Sequence, residues 1–408
     1  MALFVFLYLQ TMATHIVGAE LTYECLGGSS YNVKLKLYRD CSLDNTSNPN
    51  AAFDESIFLF AFVGGTNNVY SITEIQKGPV ISVPLNGINA CTNNVPNICI
   101  QQATYSRVIN LPPNNFGYSI GWARCCRNHI ITNLFDPGAL GVSFIAKIPS
   151  VNAATCNSSP TFNQNPPTFL CKSDTLYFDH SAFDEDGDSL VYAITAPYNG
   201  LNFMGMGAGY PQYGQPQPIV SPDNPMGNAP FQSLPYNNGY TFLSPFGAGG
   251  LCSINAETGL LRFAPQQIGT YVVAISVFEY RNGILLSENK RDYQFTVITC
   301  NYPDPPPSIV HDLSGLTTNG DTIIVTGTPN FCYTATVSTQ NSPNQLSVQG
   351  ISPVFGTGNM NPPFATVNPV SATGANPYQV EICWEPSCEY VNQTIPIILK
   401  ARDVLDCP

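Results

Sequence analysis

The sequence predicts an all-β protein: tandem Ig-like β-sandwich modules stapled by disulfides. Three observations carry that prediction. Apolar residues recur with period two over short stretches, the spacing that turns one face of a strand inward and the other outward. Turns supplied by 32 glycines and 35 prolines cut these stretches apart, and no long helix-forming run intervenes. Fourteen cysteines occur without a pair of CxxC motifs or an HxxxH, which favours disulfides in an oxidising compartment over a zinc module.

From the N-terminus, residues 1–13 (MALFVFLYLQTMA) form an apolar run that ends with small residues, Thr11 and Ala13, flanking Met12. That pattern fits the h-region and cleavage site of a signal peptide, without the basic n-region, and it is too short to span a bilayer. No other segment is a candidate span. Three modules are expected: a Cys-rich β domain at 14–150, a β-sandwich at 151–303 and an Ig-like sandwich at 304–408. The polar, Pro-rich stretch 148–167 and the Pro run NYPDPPPS (301–308) mark the joints.

In the first module YNVKLKLY (31–38) alternates, with Val33, Leu35 and Leu37 on one face and Lys34 and Lys36 on the other. The second has TLYF (175–178), SLVYAIT (189–195), TYVVAISVF (270–278) and DYQFTVIT (292–299). The third has DTIIVTG (321–327), YQVEICW (378–384) and IPIILKA (395–401). Short strands at such spacing favour sandwiches over βαβ units. Residues 198–250 form a long Gly/Pro/Asn/Tyr-rich insertion, in which Tyr210, Tyr213, Tyr236 and Tyr240 are candidates to present aromatics to a glycan or a partner.

At 44% hydrophobic, the chain is rich enough in apolar residues to build cores. A net charge of −12 argues against nucleic acid or an anionic membrane as partner. It suits an acidic surface or bound cations.

Several blocks in order resemble a known group. THIVGAELTYECLG (14–27), YRDC (38–41), WARCCRN (122–128), HSAFDEDGDSLVYAI (180–194), INAETGLLRFAPQQIGTYVVAISVFEYRNG (254–283) and KRDYQFTVITC (290–300) together look like the N-terminal region of secreted Bacteroidota surface proteins. These are the gliding-motility-associated or PKD-domain type, exported by the type IX system. The resemblance implies an adhesin-like protein. Such proteins run longer and end in a sorting domain, so it also implies that this chain is part of a longer one. The second module resembles a cadherin-like Ig-type domain. That likeness implies calcium at a DxDGDxL loop, with Glu279, late in the penultimate strand, as a further acid.

The loop in question is AFDEDGDSL (182–190), where Asp184, Asp186 and Asp188 alternate with Glu185 and Gly187. An EF-hand needs Gly at position 6 and Glu at position 12. Counting from Asp184, Gly187 is the fourth residue and Thr195 the twelfth, so the EF-hand is excluded. On a sandwich loop, alternate carboxylates can converge on one ion, and without an ion they repel one another. A structural calcium site at Asp184, Asp186, Asp188 and Glu279 is the reading carried forward, with a solvated turn as its alternative. Asp304 in the Pro run is a further candidate for an interdomain ion.

Cys125 and Cys126 are adjacent, too close for the usual disulfide geometry, so each is expected to bond elsewhere. Cys91–Cys99 is the most local pairing; Cys156–Cys171 and Cys252–Cys300 are the others expected, with pairings among Cys332, Cys383, Cys388 and Cys407. Sequons stand at Asn45, Asn157 and Asn392. GYSIG (117–121) matches a nucleophile elbow, but Tyr118, Ile120 and Trp122 read as one face of a strand. With no P-loop or dinucleotide motif, an enzyme is not expected.

The expectation is a non-enzymatic, secreted cell-surface protein, adhesin-like or stalk-forming, stiffened by calcium. Its partners would be an extracellular surface, a polysaccharide, a protein ligand or further copies of itself. A carbohydrate-binding surface module and a subunit of an extracellular filament are the alternatives.

Overall fold

A computed structural model describes residues 16–42, 52–66, 68–84, 98–125, 127–199, 233–300, 307–320, 322–327, 330–340, 345–356, 360–369, 371–373, 376–391 and 393–403. The expected signal peptide, Cys91, Asp304, Tyr210 and Tyr213 lie outside them. Among the described residues there is no α-helix, and the all-β expectation holds.

Seven strands from residues 16–148 wrap around the first core. They are β1 (Ile16–Cys25), β2 (Ser30–Asp40), β3 (Ser56–Val63), β4 (Val69–Ser82), β5 (Ile100–Asn110), β6 (Tyr118–Cys125) and β7 (Gly141–Ile148). They pair in the order β1-β2-β5-β4-β3-β6-β7. The period-two reading of β2 is correct: Val33, Leu35 and Leu37 are buried beside Leu21, Leu59, Tyr105, Trp122 and Phe144. Ser119 of GYSIG sits inside β6, with Tyr118, Ile120 and Trp122 buried, and not on the strand-to-helix turn that a nucleophile elbow requires.

The short strands β8 (Thr161–Phe162), β9 (Phe169–Cys171), β10 (Leu176–Asp179) and β11 (Ala182–Phe183) follow. After them come β12 (Ser189–Thr195), β13 (Leu251–Ile254), β14 (Leu260–Ala264), β15 (Gly269–Arg281) and β16 (Ile284–Ile298). A two-residue turn, Asn282-Gly283, joins the last two, and both residues have positive φ (53° and 77°). That is the backbone a tight hairpin demands and the reason Asn-Gly occupies it.

β16 changes the expected domain plan. One edge pairs with β15 along its length. The other meets β7 at Asn289, β1 at Asp292 and Tyr293, and β9 at Thr296–Ile298. The sheet therefore runs without a break across the expected 150/151 boundary, and β16 closes the seam between β1 and β7. Gly18 makes this contact sterically feasible: a Cβ there would lie 2.4 Å from the Tyr293 ring and 2.7 Å from the Asp292 carbonyl.

Seating a strand in a seam buries both of its faces. Tyr293, Phe295 and Val297 join a second core with Leu261, Phe263 and Tyr271, while the charges of KRD are buried too. Arg291 Nε donates to Glu20 Oε2 at 2.8 Å, and Lys36 Nζ lies 2.8 Å from Glu20 Oε1. Burial alone would raise the Glu20 pKa, but Arg291 and Lys36 hold it below the usual carboxylate value. On the opposite face Arg127 Nη2 donates to Asp292 Oδ2 at 2.5 Å. Lys290 Nζ donates to the Ala196 carbonyl at 2.8 Å and sits 3.7 Å from the Tyr198 ring centre. Partners on both faces are what make such burial tolerable.

The chain from β17 (Ser308–Asp312) onward has its own core around Tyr333, Val337, Val380, Ile382 and Trp384. β17 pairs with β20 (Phe331–Ser338), which pairs with β24 (Tyr378–Trp384) and through it with β22 (Thr366–Asn368). A facing sheet holds β21 (Gln345–Gly350) between β23 (Ser371–Thr373) and β25 (Leu399–Asp403). The small hairpin of β18 (Thr318–Asn319) and β19 (Thr322–Ile323) completes the set. The expected strands at 321–327 and 395–401 are thus shorter or shifted.

The disulfides correct the expected pairings. Cys99 bonds Cys41, not Cys91; Cys156 bonds Cys25, not Cys171; and Cys171 bonds Cys300, which leaves Cys252 a free, buried thiol. For Cys41–Cys99 and Cys171–Cys300, strand pairing and not proximity in sequence decides. Asp40 faces Ile100 across β2 and β5, so Cys41 and Cys99 face each other one step on. Ile298 lies beside Cys171 in the parallel β9–β16 pair, which delivers Cys300 to it. Cys332 and Cys383 are directly opposed on β20 and β24 and are bonded, while Cys388 is free and exposed.

Candidate metal centre

The AFDEDGDSL loop links β11 to β12. Its shape comes from Asp184, whose Oδ1 accepts the backbone N–H of Asp186 (3.1 Å) and of Asp188 (2.9 Å). Aspartate commonly shapes a turn through bonds of this kind. Gly187, at φ 80°, takes the left-handed position with nothing crowding it. Glu279 and Arg281 are two apart on β15, so both side chains leave the same face, and β12 runs beside them with Leu190 opposite Glu279.

The structure brings the four expected acids together. Asp184, Asp186, Asp188 and Glu279 each offer a carboxylate oxygen, and the four oxygens lie within 4.8 Å of one another. Oxygens bound to one calcium sit about 2.3–2.6 Å from it and so span at most roughly 5 Å. Glu279 is fully buried and Asp184 nearly so. Glu279 Oε2 accepts from the Ser287 hydroxyl, but Glu279 Oε1 and Asp184 Oδ2 are buried with no hydrogen-bond partner among the described residues. Burial raises the Asp184 pKa to about 7. Burial, followed by its contact with Asp188, raises that of Glu279 to about 9. Two orphaned carboxylate oxygens in a cluster of acids make a donor set that fits a hard cation better than it fits bulk protein.

Three neighbours were not legible in the sequence. Arg281 grips Asp188 with both prongs, Nε to Oδ1 at 2.7 Å and Nη2 to Oδ2 at 2.6 Å, and reaches within 3.8 Å of Asp186. The Ser158 N–H donates to Asp186 Oδ2 at 2.6 Å, and Asn157 Oδ1 accepts from Arg281 at 3.1 Å. Asn157 and Ser158 directly follow Cys156, which is bonded to Cys25 at the end of β1. Ser159 N–H donates to the Tyr23 carbonyl at 2.8 Å, and its hydroxyl accepts from Tyr23 N–H at 2.8 Å. The loop is thus tied to the first core as well as the second. The Asn157 amide nitrogen is engaged by the Tyr23 hydroxyl and the Ser158 carbonyl and is buried, so that sequon is not open to a glycan. The signal that could have found this neighbourhood was the Cys-Asn-Ser-Ser sequence, had the Cys25 pairing been known.

The other expected contact residues are placed differently. Tyr236 packs with Leu134, Leu234 and Val272, and its hydroxyl is buried. Tyr240 packs on Tyr271 and against Gly247. Both are half-buried: Tyr236 packs against the segment around Leu134 as well as Val272, and Tyr240 against the second core.

No protein-family model matches the sequence, and no curated protein matches it either. No helix among the described residues is long and apolar enough to cross a membrane. Together with four disulfides among the described residues, this is compatible with a secreted or extracellular protein.

Proposed function

We propose that this is a non-enzymatic, secreted surface protein of adhesin-like or stalk-forming type, in which one calcium ion stiffens the joint between the first two β cores. The observation that carries the reading is the pair of buried oxygens without a partner among the described residues, Glu279 Oε1 and Asp184 Oδ2, in a group of four acids drawn from one strand and a loop. Asp184, Asp186, Asp188 and Glu279 would hold the ion. Calcium supplies charge compensation here, and its binding stabilises the fold by mass action. The site borders a segment bonded to β1, so ordering the loop also fixes that segment.

The architecture supports a role in presentation. A sheet continuous across two cores, closed by long-range disulfides, resists shear and proteolysis because few of its parts open independently. The glycan-binding alternative has lost the two described residues it relied on, Tyr236 and Tyr240. Isothermal titration of the full chain with calcium tests the metal site, and adhesion to extracellular polysaccharides and proteins, with and without calcium, tests the surface role. Saturable calcium binding with calcium-dependent adhesion is expected; no calcium binding would overturn the metal reading.

A further inference from the structure

We propose that Arg281 is a tethered counter-ion of the acidic site, holding the loop in shape when no cation is bound and weakening the hold on a cation when one is. The inference rests on the calcium reading above and assigns the site its regulator.

The geometry divides the site in two. Arg281 satisfies one half: both oxygens of Asp188 accept from it, Asp186 is within 3.8 Å, and Asn157 Oδ1 accepts from Nη2 at 3.1 Å. In the other half, Asp184 Oδ2 and Glu279 Oε1 have no hydrogen-bond partner among the described residues. A guanidinium is planar and fork-shaped; it matches one carboxylate and cannot reach four converging ones. It therefore compensates the cluster only in part and leaves the inner oxygens to a small ion.

Exposure separates the two partners. The Arg281 side chain is 32% exposed, whereas that of Asp188 is 3% exposed. Asp188 is fixed in the site, and the arginine lies over it from the solvent side at the end of β15, one residue before the Asn282-Gly283 turn. Two arrangements are open to it on cation binding. It remains, and its positive charge opposes the ion through a partly desolvated medium, or it swings to solvent and the ion has displaced an ion pair. Both lower the apparent affinity. Without a cation, the Arg281–Asp188 pair makes the loop more stable than four uncompensated acids would be.

The test is calcium titration of the full chain by calorimetry, paired with melting curves in EDTA, for wild type and Arg281→Gln. The variant is expected to bind calcium roughly tenfold tighter, the effect of removing one nearby like charge in a partly screened site, and to melt lower in EDTA. If Arg281→Gln does not fold without calcium, Arg281→Lys keeps a charge and loses the fork. It is expected to bind calcium more tightly by a smaller factor. Calcium binding by wild type with equal or weaker binding by the variants would overturn the role of Arg281 and leave the metal site standing. Binding by Arg281→Gln alone would support the proposal in its strongest form. No binding by any of the proteins would overturn the metal site and this inference with it.

Discussion

Glu20 and Arg291 are 271 residues apart in the chain and are bonded inside it, Arg291 Nε to Glu20 Oε2 at 2.8 Å. The pair lies where β16 fills the seam between β1 and β7. Arg291 also stacks over Phe162, 3.9 Å from the ring centre, and donates to the Gln164 carbonyl at 2.9 Å. Removing one partner leaves a buried charge alone, which costs about 3–5 kcal/mol. Glu20→Gln is expected to lose stability of that order in chemical denaturation, and Arg291→Met with Glu20→Leu to recover part of it.

Gly18 tests the same seam without charge. Its missing side chain is what lets β1 approach Tyr293 and the Asp292 backbone. Gly18→Val is expected to destabilise the first and second cores together by about 1–3 kcal/mol or more, as overpacking does. Unfolding followed by fluorescence and by circular dichroism should still coincide. If the variant instead splits the transition in two, the cores are not one cooperative unit.

The Cys25–Cys156 bond positions Asn157 and Ser158 against the acidic loop. Replacing both cysteines with serine is expected to weaken calcium binding severalfold in titration calorimetry. The same double replacement at Cys332 and Cys383, which join β20 and β24 on the outward face of the third unit's sheet, should leave calcium affinity unchanged.

His180 supplies a pH dependence. It is fully buried, packs edge-on against Phe162 at 4.7 Å, and has no hydrogen-bond partner on either ring nitrogen. Burial, aided by Arg291, holds its pKa well below 6.5. The unfolded chain then takes up a proton that the folded one refuses, so this stability is complete above about pH 6.5 and is lost as pH falls below it, by up to about 1.4 kcal/mol per pH unit. Neighbouring Asp179 has its pKa raised, chiefly by burial, and acts in the opposite sense. The comparison is therefore between wild type and His180→Leu: the variant should lose less stability between pH 6.5 and 5.

What the sequence made legible was local. The alternation in YNVKLKLY, the extents of β12 and β24 and the convergence of the three aspartates follow from period two and from one turn. The companion acid Glu279 came from resemblance, and its place in the cluster matches. Pairing across long separations was hidden. Nothing in KRDYQFTVITC announces a strand buried on both faces, because Lys290, Arg291 and Asp292 read as solvent-facing until Tyr198, Glu20 and Arg127 are seen beside them. Three disulfide pairings failed for the same reason: Cys41–Cys99 and Cys171–Cys300 follow strand registers that spacing does not reveal, and Cys25–Cys156 joins the end of β1 to a loop 131 residues on. Tyr236 and Tyr240 looked like a display of aromatics because an insertion rich in Gly and Pro carries no periodicity to show which side chains turn inward.

The central claim, that the acidic loop is a structural calcium site, is tested most directly by scanning calorimetry of the full chain in calcium and in EDTA, beside Asp184→Asn, Asp186→Ala and Glu279→Gln. Calcium at about a hundred times its dissociation constant should add roughly 2.7 kcal/mol, raising the Tm of wild type, while the three variants gain little or nothing. Superimposable wild-type curves in calcium and EDTA would contradict the account.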